Sequence, residues 1–312
     1  MGLDGTIMST MLPSDMHFLE RGWLSSNSLL LLGRDDAVLI DSGYHTHAEQ
    51  TVALVQFALQ GRQLTGLFNT HLHSDHCGGN AAIQDNWPHV RTWIPATSAD
   101  AVRTWDEVKL TYKPTGQFCP RFSFDGVLSP GTTFQAGPRT WEIHAAPGHD
   151  PDSVLLFQPD TRVLLSADAL WEHGFGVVFP EISGEPGFDD VSKTLDLIEK
   201  LQPQTIVPGH GSVFTDVSGA LNRARERLNV FRGAPLKHAS HAAKVLIKFH
   251  LMAIQGCPQE ALLDWSEESG YLQSLHQVHY QQLEMRDWVL GLLDGLVRGG
   301  TLARQDTWIV NV

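Results

Sequence analysis

Three imidazoles and a carboxylate crowd into the stretch HLHSDH: His71, His73, Asp75 and His76, followed at once by Cys77, Gly78 and Gly79. Imidazole nitrogens and carboxylate oxygens are ligands for zinc, and also for iron or manganese. In extended chain alternate residues face the same way, so His71 and His73 can reach one cation together. The two glycines are expected to let the chain turn tightly, so that Asp75 and His76 face a neighbouring position. Three further donors stand in similar settings: His149 after IHAAPG, Asp168 at the end of VLLSAD and His210 after TIVPG. Each follows an apolar, strand-like run. Loops that leave strand ends in a layered α/β fold gather on one edge, so seven donors from four strand ends are placed to converge. A short carboxylate such as Asp168 can bridge two cations, and two ions about 3.5–4 Å apart can share and deprotonate one water.

The elements that must position these donors are legible as far as about residue 215. SLLLLG and AVLIDSG read as two short strands around GRDD. THAEQTVALVQFALQG has helical spacing with Gly61 as its stop, and LTGLFNT is the strand that ends at His71. NAAIQDN and ATSADAVRTWDEV read as helices on either side of the strand VRTWIP. Residues 109–131, rich in proline, glycine and aromatics, read as an ordered loop or a lid. TTFQAG, RTWEIHAAPG, SVLLFQP and RVLLSAD are strands, and an amphipathic helix precedes the strand QTIVPGHG. From 216 the pattern becomes helical, with long apolar-spaced segments and a closing strand pair around RQD. The expected organisation is therefore an α/β domain at 1–215 and a helical, winged-helix-like domain at 216–312.

HLHSDH resembles the HxHxDH signature of the metallo-β-lactamase-fold hydrolases. The resemblance extends over roughly residues 18–215, because LIDSG, PGHDPDS, SAD and PGHG follow the order of that family. It implies an αββα sandwich with the site at one edge of the two sheets. It implies two divalent cations, zinc first, with iron or manganese as alternatives. His71, His73 and His149 would hold one, Asp75, His76 and His210 the other, and Asp168 would bridge them. A bridging hydroxide would be the nucleophile, and Asp75 would orient it and receive its proton. Asp41, in LIDSG, is either a turn-former or a support for the metal loop. Cys77, His144 and the histidines at 45, 47, 238, 241, 250, 276 and 279 read as packing or surface residues.

Composition narrows the function. Of 312 residues 42% are apolar and 18% charged, which argues against wholesale disorder. The net charge of −13 (22 basic, 35 acidic) disfavours a broad nucleic-acid or anionic-membrane footprint. Three scattered cysteines make no disulfide framework and fit a reducing, cytoplasmic setting. The opening MGLDGTIMST lacks the order of a secretory leader. The expected reaction is hydrolysis of a small-molecule carbonyl substrate: a lactone, ester, thioester or amide. Tyr112, Phe118, Trp171 and Phe175 are the expected pocket residues, with residues 172–188 as a second wall or lid. Through the metal motif the chain also resembles glyoxalase-type thioesterases, a resemblance that implies basic residues in a helical C-terminal part holding glutathione carboxylates; Arg223, Arg225, Arg227 and Lys244 are available for that, although RARER reads most simply as a solvated helix face.

Two other activities share the ligand pattern. A single-strand endoribonuclease would use a winged-helix tail, but residues 235–312 carry six basic and eight acidic groups, a net of −2. A mononuclear-iron persulfide dioxygenase carries the same motif without such a tail. The tail is otherwise expected to cap the sandwich or to form a homodimer contact through VLIKFHLMAI.

Overall fold

The computed structural model describes residues 11–312; the MGLDGTIMST stretch lies outside the described residues. The first sheet runs in chain order: β1 (Met16–Leu19), β2 (Ser28–Leu32), β3 (Asp36–Ile40), β4 (Gln63–Phe68), β5 (Arg91–Pro95) and β6 (Gly126–Leu128). Its first two pairings are antiparallel and the next three parallel. The parallel half requires crossovers, supplied by α1 (Ala48–Leu59), α2 (Ser74–Cys77), α3 (Asn80–Asn86), α4 (Ala99–Thr104) and α5 (Tyr112–Thr115). The second sheet contains β7 (Thr133–Ala136), β8 (Arg139–Ala145), β9 (Val154–Gln158), β10 (Val163–Ala167) and β11 (Thr205–Pro208), in the order β11-β10-β9-β8-β7.

Strand periodicity decides the layers. Leu29 and Leu31 face the second sheet, where they meet Trp141, Leu156 and Val207. Leu30, between them, faces outward onto Val55 and Leu59 of α1. On the far side Leu155 and Leu164 pack against Val178, which precedes α6 (Phe179–Ile182), and against Leu195 of α7 (Phe188–Leu201) and Leu221 of α8 (Val217–Gly233). The result is helix, sheet, sheet, helix. The inner strands β2, β3, β9, β10 and β11 are buried on two faces and read as near-continuous apolar runs, whereas β7 and β8 alternate because one of their faces is open.

The remainder packs around a second core, which Val177 and Ile182 join: α9 (Pro235–Ile254), β12 (Gly256–Pro258), α10 (Gln259–Glu268), α11 (Gly270–His279), α12 (Met285–Arg298), β13 (Leu302–Gln305) and β14 (Trp308–Asn311). The boundary expected at 215/216 falls just before α8, whose buried face packs in the sandwich core. The segment expected to be one helix, PQEALLDWSEESGYLQSL, is two, broken at Ser269, whose backbone is extended (φ −70°, ψ 113°). β12 was not legible because three residues, GCP, carry no periodicity; its partner β14 lies some fifty residues downstream. The apolar face of α9 is covered within the chain: Leu246, Ile247 and Leu251 sit in the C-terminal core, and Phe249 meets Leu24 and Tyr44 of the sandwich. Among the described residues no helix is long and apolar enough to cross a membrane.

One buried histidine at this junction predicts a pH dependence. His238 is 3% exposed and its Nε2 accepts a hydrogen bond from the Val178 amide at 3.2 Å. Burial, with Arg227 adding to it, pushes its pKa down from 6.5 to about 4. The unfolded chain therefore binds this proton first as pH falls. Stability present above pH 6.5 is lost towards pH 4, at about 1.4 kcal/mol per pH unit from this group. Urea midpoints measured from pH 7.5 to 4.5 should fall less steeply for His238→Gln, which keeps an acceptor but cannot protonate. Parallel profiles would refute this.

Candidate metal centre

All the donors stand on loops at one edge of the sandwich. Asp41 follows β3, His71 and His73 follow β4, and Asp75 and His76 lie on the single turn α2. His149 follows β8, Asp168 follows β10 and His210 follows β11. The folded chain brings them into two groups, His71–His73–His149 and Asp75–His76–Asp168–His210, with the donor atoms of each group within 4.8 Å of one another. Asp168 spans both: its Oδ2 lies 3.4 Å from His149 Nε2 and its Oδ1 3.4 Å from His76 Nε2. His210 Nε2 lies 3.1 Å from Asp75 Oδ2, and His73 Nδ1 lies 2.8 Å from His149 Nε2.

In His76 and His149 the second ring nitrogen is held from behind. His76 Nδ1 donates to Asp41 Oδ2 at 2.8 Å, and His149 Nδ1 donates to the Val177 carbonyl at 2.6 Å. His71 Nδ1 lies 3.2 Å from the Thr70 hydroxyl, and His73 Nε2 faces Asp150 at 3.4 Å without a hydrogen bond. Such partners fix ring orientation and tautomer. By contrast the Nε2 atoms of His71 and His76 are buried and, like His73 Nε2, make no hydrogen bond in the protein. A buried polar atom without a partner costs about 1–3 kcal/mol, and a cation would use both. The donor set, all imidazole and carboxylate, suits zinc, iron or manganese.

Electrostatics favour ligation. Burial holds the imidazole pKa of His71 well below its usual value and that of His73 down to about 3, with neighbouring histidines adding to both. They are therefore neutral near pH 7, the form a metal needs. For Asp168, burial works against ionisation but is outweighed by His210 and His76, so its carboxyl stays well below the usual range. His76 is the exception: burial opposes its proton, but Asp168, Asp41 and Asp75 together hold it. Asp150 is pushed up to about 7 by burial, with Asp152 beside it.

The glycines after the motif have a different use from the one expected. Gly78 (φ −62°) and Gly79 (φ −85°) need no left-handed backbone. A Cβ would meet the Ser74 carbonyl and the His45 amide at Gly78, and the Ser42 carbonyl at Gly79. They let the metal loop pack directly against the chain leaving β3. Gly209 does the same for the site itself, since a Cβ there would lie 2.1 Å from Asp168 Oδ1.

A cavity of about 580 Å³ opens over both groups. Trp171 lines it and donates through Nε1 to Asp168 Oδ1 at 3.3 Å. The other expected pocket residues do not line it. Tyr112 is 1% exposed and packs behind the metal loop with its hydroxyl 3.2 Å from Cys77 Sγ, because residues 109–131 fold onto the body as a small apolar core. Phe118 is exposed and lies edge-on to His45, while Phe175 is buried beneath Arg227 and against Phe231. The segment after Asp168 does form a wall, through Gly176, Val177 and Phe179. Three residues escaped the sequence reading. Trp23 stacks on His210 (5.3 Å, 7°). Asn27 holds the His210 loop by donating to the carbonyls of Pro208 and Gly211. His241, read as packing, lines the cavity. None has a local signal, since each acts from a distant segment.

Comparison with known proteins adds the decisive match: the profile described as the metallo-beta-lactamase superfamily aligns with residues 21–210. The chain belongs to the metallo-beta-lactamase superfamily. Among curated members it is similar to a hydroxyacylglutathione hydrolase of Trichormus variabilis (26% identity; 53% of this chain, 58% of the relative). It is also similar to the probable metallo-hydrolase YflN of Bacillus subtilis (29%; 57% and 76%) and to a nitric oxide reductase of Moorella thermoacetica (25%; 63% and 51%). The chain thus spans between about half and three quarters of these relatives' lengths. A solved metallo-beta-lactamase family protein from Thermus thermophilus shares the fold over 97% of this chain and all of its own (TM-score 0.57, 17% identity). The superfamily αββα fold expected from the motifs is therefore present, and helices follow it.

Proposed function

We propose that this superfamily member is a metal-dependent hydrolase of a small-molecule carbonyl substrate: a lactone, ester, thioester or amide. The observation that carries the reading is the pair of buried donor groups, with the Nε2 atoms of His71 and His76 left without a hydrogen bond, at the floor of a cavity of about 580 Å³. That volume is in the range of small-molecule sites. His71, His73 and His149 would hold one cation, and Asp75, His76 and His210 the other, with Asp168 reaching both. Zinc suits the set best. When bound, divalent cations acidify water and polarise an electrophilic oxygen.

The remaining chemistry belongs to the chain. Asp75, the partly exposed member of its group, faces the cavity and is placed to orient the attacking water and take its proton. Trp171 and Trp23 flank His210, and Phe179 lies edge-on to His73 and His149. These aromatic rings and Val177 exclude bulk water from the reacting carbonyl, which strengthens every charge interaction there. We read the helical tail, winged-helix-like in its order, as one wall of this cavity. Its charge balance disfavours RNA as the substrate. Three free cysteines favour a cytoplasmic setting.

Elemental analysis of the purified protein, paired with hydrolysis of a panel of lactones, thioesters, β-lactams, phosphodiesters and short RNA, tests the proposal. About two zinc per chain with carbonyl-ester turnover is expected. One iron without hydrolysis, or RNA cleavage alone, would overturn it.

A further inference from the structure

Between Asp168 and α6 the chain runs as a strap, residues 175–178, with no regular secondary structure. A segment without a hydrogen-bond ladder of its own takes its shape from what it touches. On one side this strap touches the metal centre. The Gly176 amide donates to the Asp168 carbonyl at 2.9 Å, and the Val177 carbonyl accepts from His149 Nδ1 at 2.6 Å. The Phe179 amide, at the start of α6, donates to the His149 carbonyl at 3.2 Å. Gly176 permits the close approach, since a Cβ there would collide with the His149 ring. With Nδ1 engaged as a donor, His149 keeps its Nε2 lone pair for the side that faces His73 Nδ1 and Asp168 Oδ2.

On the other side the C-terminal helices hold the strap. The Val178 amide donates to His238 Nε2 of α9 at 3.2 Å. An amide N–H has no acceptor to offer, so His238 carries its proton on Nδ1. The His238 ring is buried, edge-on to Phe188 (5.2 Å) and Phe231 (5.0 Å) between ring centres. Phe179 lies 4.8 Å from His73 and 5.5 Å from His149, and on its other side 5.3 Å from Tyr271 of α11.

The two central hydrogen bonds share one peptide group. The Val177 carbonyl and the Val178 N–H lie on opposite edges of the same planar unit. A rotation of that plane to find a new acceptor for the N–H would swing the carbonyl away from His149. Donation to His238 also polarises the peptide, which makes its carbonyl a stronger acceptor. A stronger acceptor behind Nδ1 makes Nε2 a better ligand atom. We propose that His238 is a positioning residue for the metal centre: through the Val177–Val178 peptide it fixes the orientation and donor strength of His149, and Tyr271 braces Phe179 beside it. The C-terminal helices thereby set metal affinity as well as lining the cavity. The inference rests on the reading of His149 as a metal ligand and is independent of the substrate.

The test measures zinc affinity of the full chain by competition with a chromophoric chelator, and the visible absorption of the cobalt(II)-loaded protein, which reports the donors and geometry around the ion. In His238→Leu one zinc-binding step should weaken about 10-fold, and the cobalt bands should shift. His238→Gln, which keeps an acceptor for the Val178 amide, should restore most of both. Leu293→Ala controls for loss of packing alone. Leu293 is fully buried in the same C-terminal core, on α12. Its variant should lose stability in urea and keep the zinc affinity and cobalt spectrum of wild type. Tyr271→Leu removes the brace on Phe179 and carries the same expectation as His238→Leu, so the inference stays open to test if the histidine variant does not fold. Wild-type affinity and spectrum in His238→Leu and Tyr271→Leu would overturn the positioning role, as would an equal change in Leu293→Ala. A wild-type chain that binds neither zinc nor cobalt would instead overturn the ligand reading of His149, on which this inference stands.

Discussion

Asp168→Ala loses turnover and metal together, and His71→Ala does the same. Turnover on whichever ester the panel identifies should fall by roughly 10³-fold or more, since the whole acidifying and polarising effect is withdrawn. The two variants differ in detail. Asp168 lies within 3.4 Å of both His149 and His76, so its removal should lower metal content in both positions. His71 belongs to one group, so its variant should retain more metal, held by Asp75, His76, Asp168 and His210. Elemental analysis alongside kinetics separates these outcomes. Full activity in a metal-free variant would sink the mechanism.

Asp41→Ala carries the second large effect, and it acts without touching the cavity. Asp41 is buried and accepts three hydrogen bonds: from the Thr70 amide at 2.9 Å, the Thr70 hydroxyl at 2.8 Å and His76 Nδ1 at 2.8 Å. Its backbone is left-handed (φ +57°), a conformation that Asp and Asn adopt more readily than Ala. Alanine leaves three buried donors unpaired and adds backbone strain. We expect a stability loss of about 3–5 kcal/mol, seen in urea unfolding of the apoprotein. Metal affinity should weaken 10- to 100-fold because His76 is no longer oriented. Asp41→Asn keeps the shape and the backbone preference but turns one acceptor into a donor. It should recover much of the stability and little of the affinity. If Asp41→Ala binds metal as tightly as wild type, the side chain is a turn-former only, the reading its Ser-Gly neighbours also allow.

The candidate donors are legible in the chain because imidazole and carboxylate are metal-ligand types and because His71, His149, Asp168 and His210 each follow an apolar run; their division between two cations came from the family resemblance. The strands are equally legible: β9, β10 and β11 are buried on two faces and show continuous apolar runs, while β8 alternates between a buried and an open face. Local pattern also specified α3, whose bounds match NAAIQDN. It overran α4, which stops at Thr104 because Trp105 adopts a left-handed cap (φ +55°), a backbone choice without a residue-type signal.

Which residues stand opposite one another emerged only on folding. Tyr112 and Phe175 look like pocket aromatics in sequence, yet they fill small cores, because an aromatic ring is equally suited to a wall and to an interior. RARER reads as one solvated face, but the helix turns Arg225 towards Asp196 and Glu199 on the surface and Arg227, two residues on, into the cavity. The donors and the layers could be read along the chain, since they follow from residue chemistry and from periods of two and 3.6. The walls of the cavity, Arg227 among them, and the support of His210 by Asn27 depend on contacts between segments far apart in the chain, and no local pattern records such contacts.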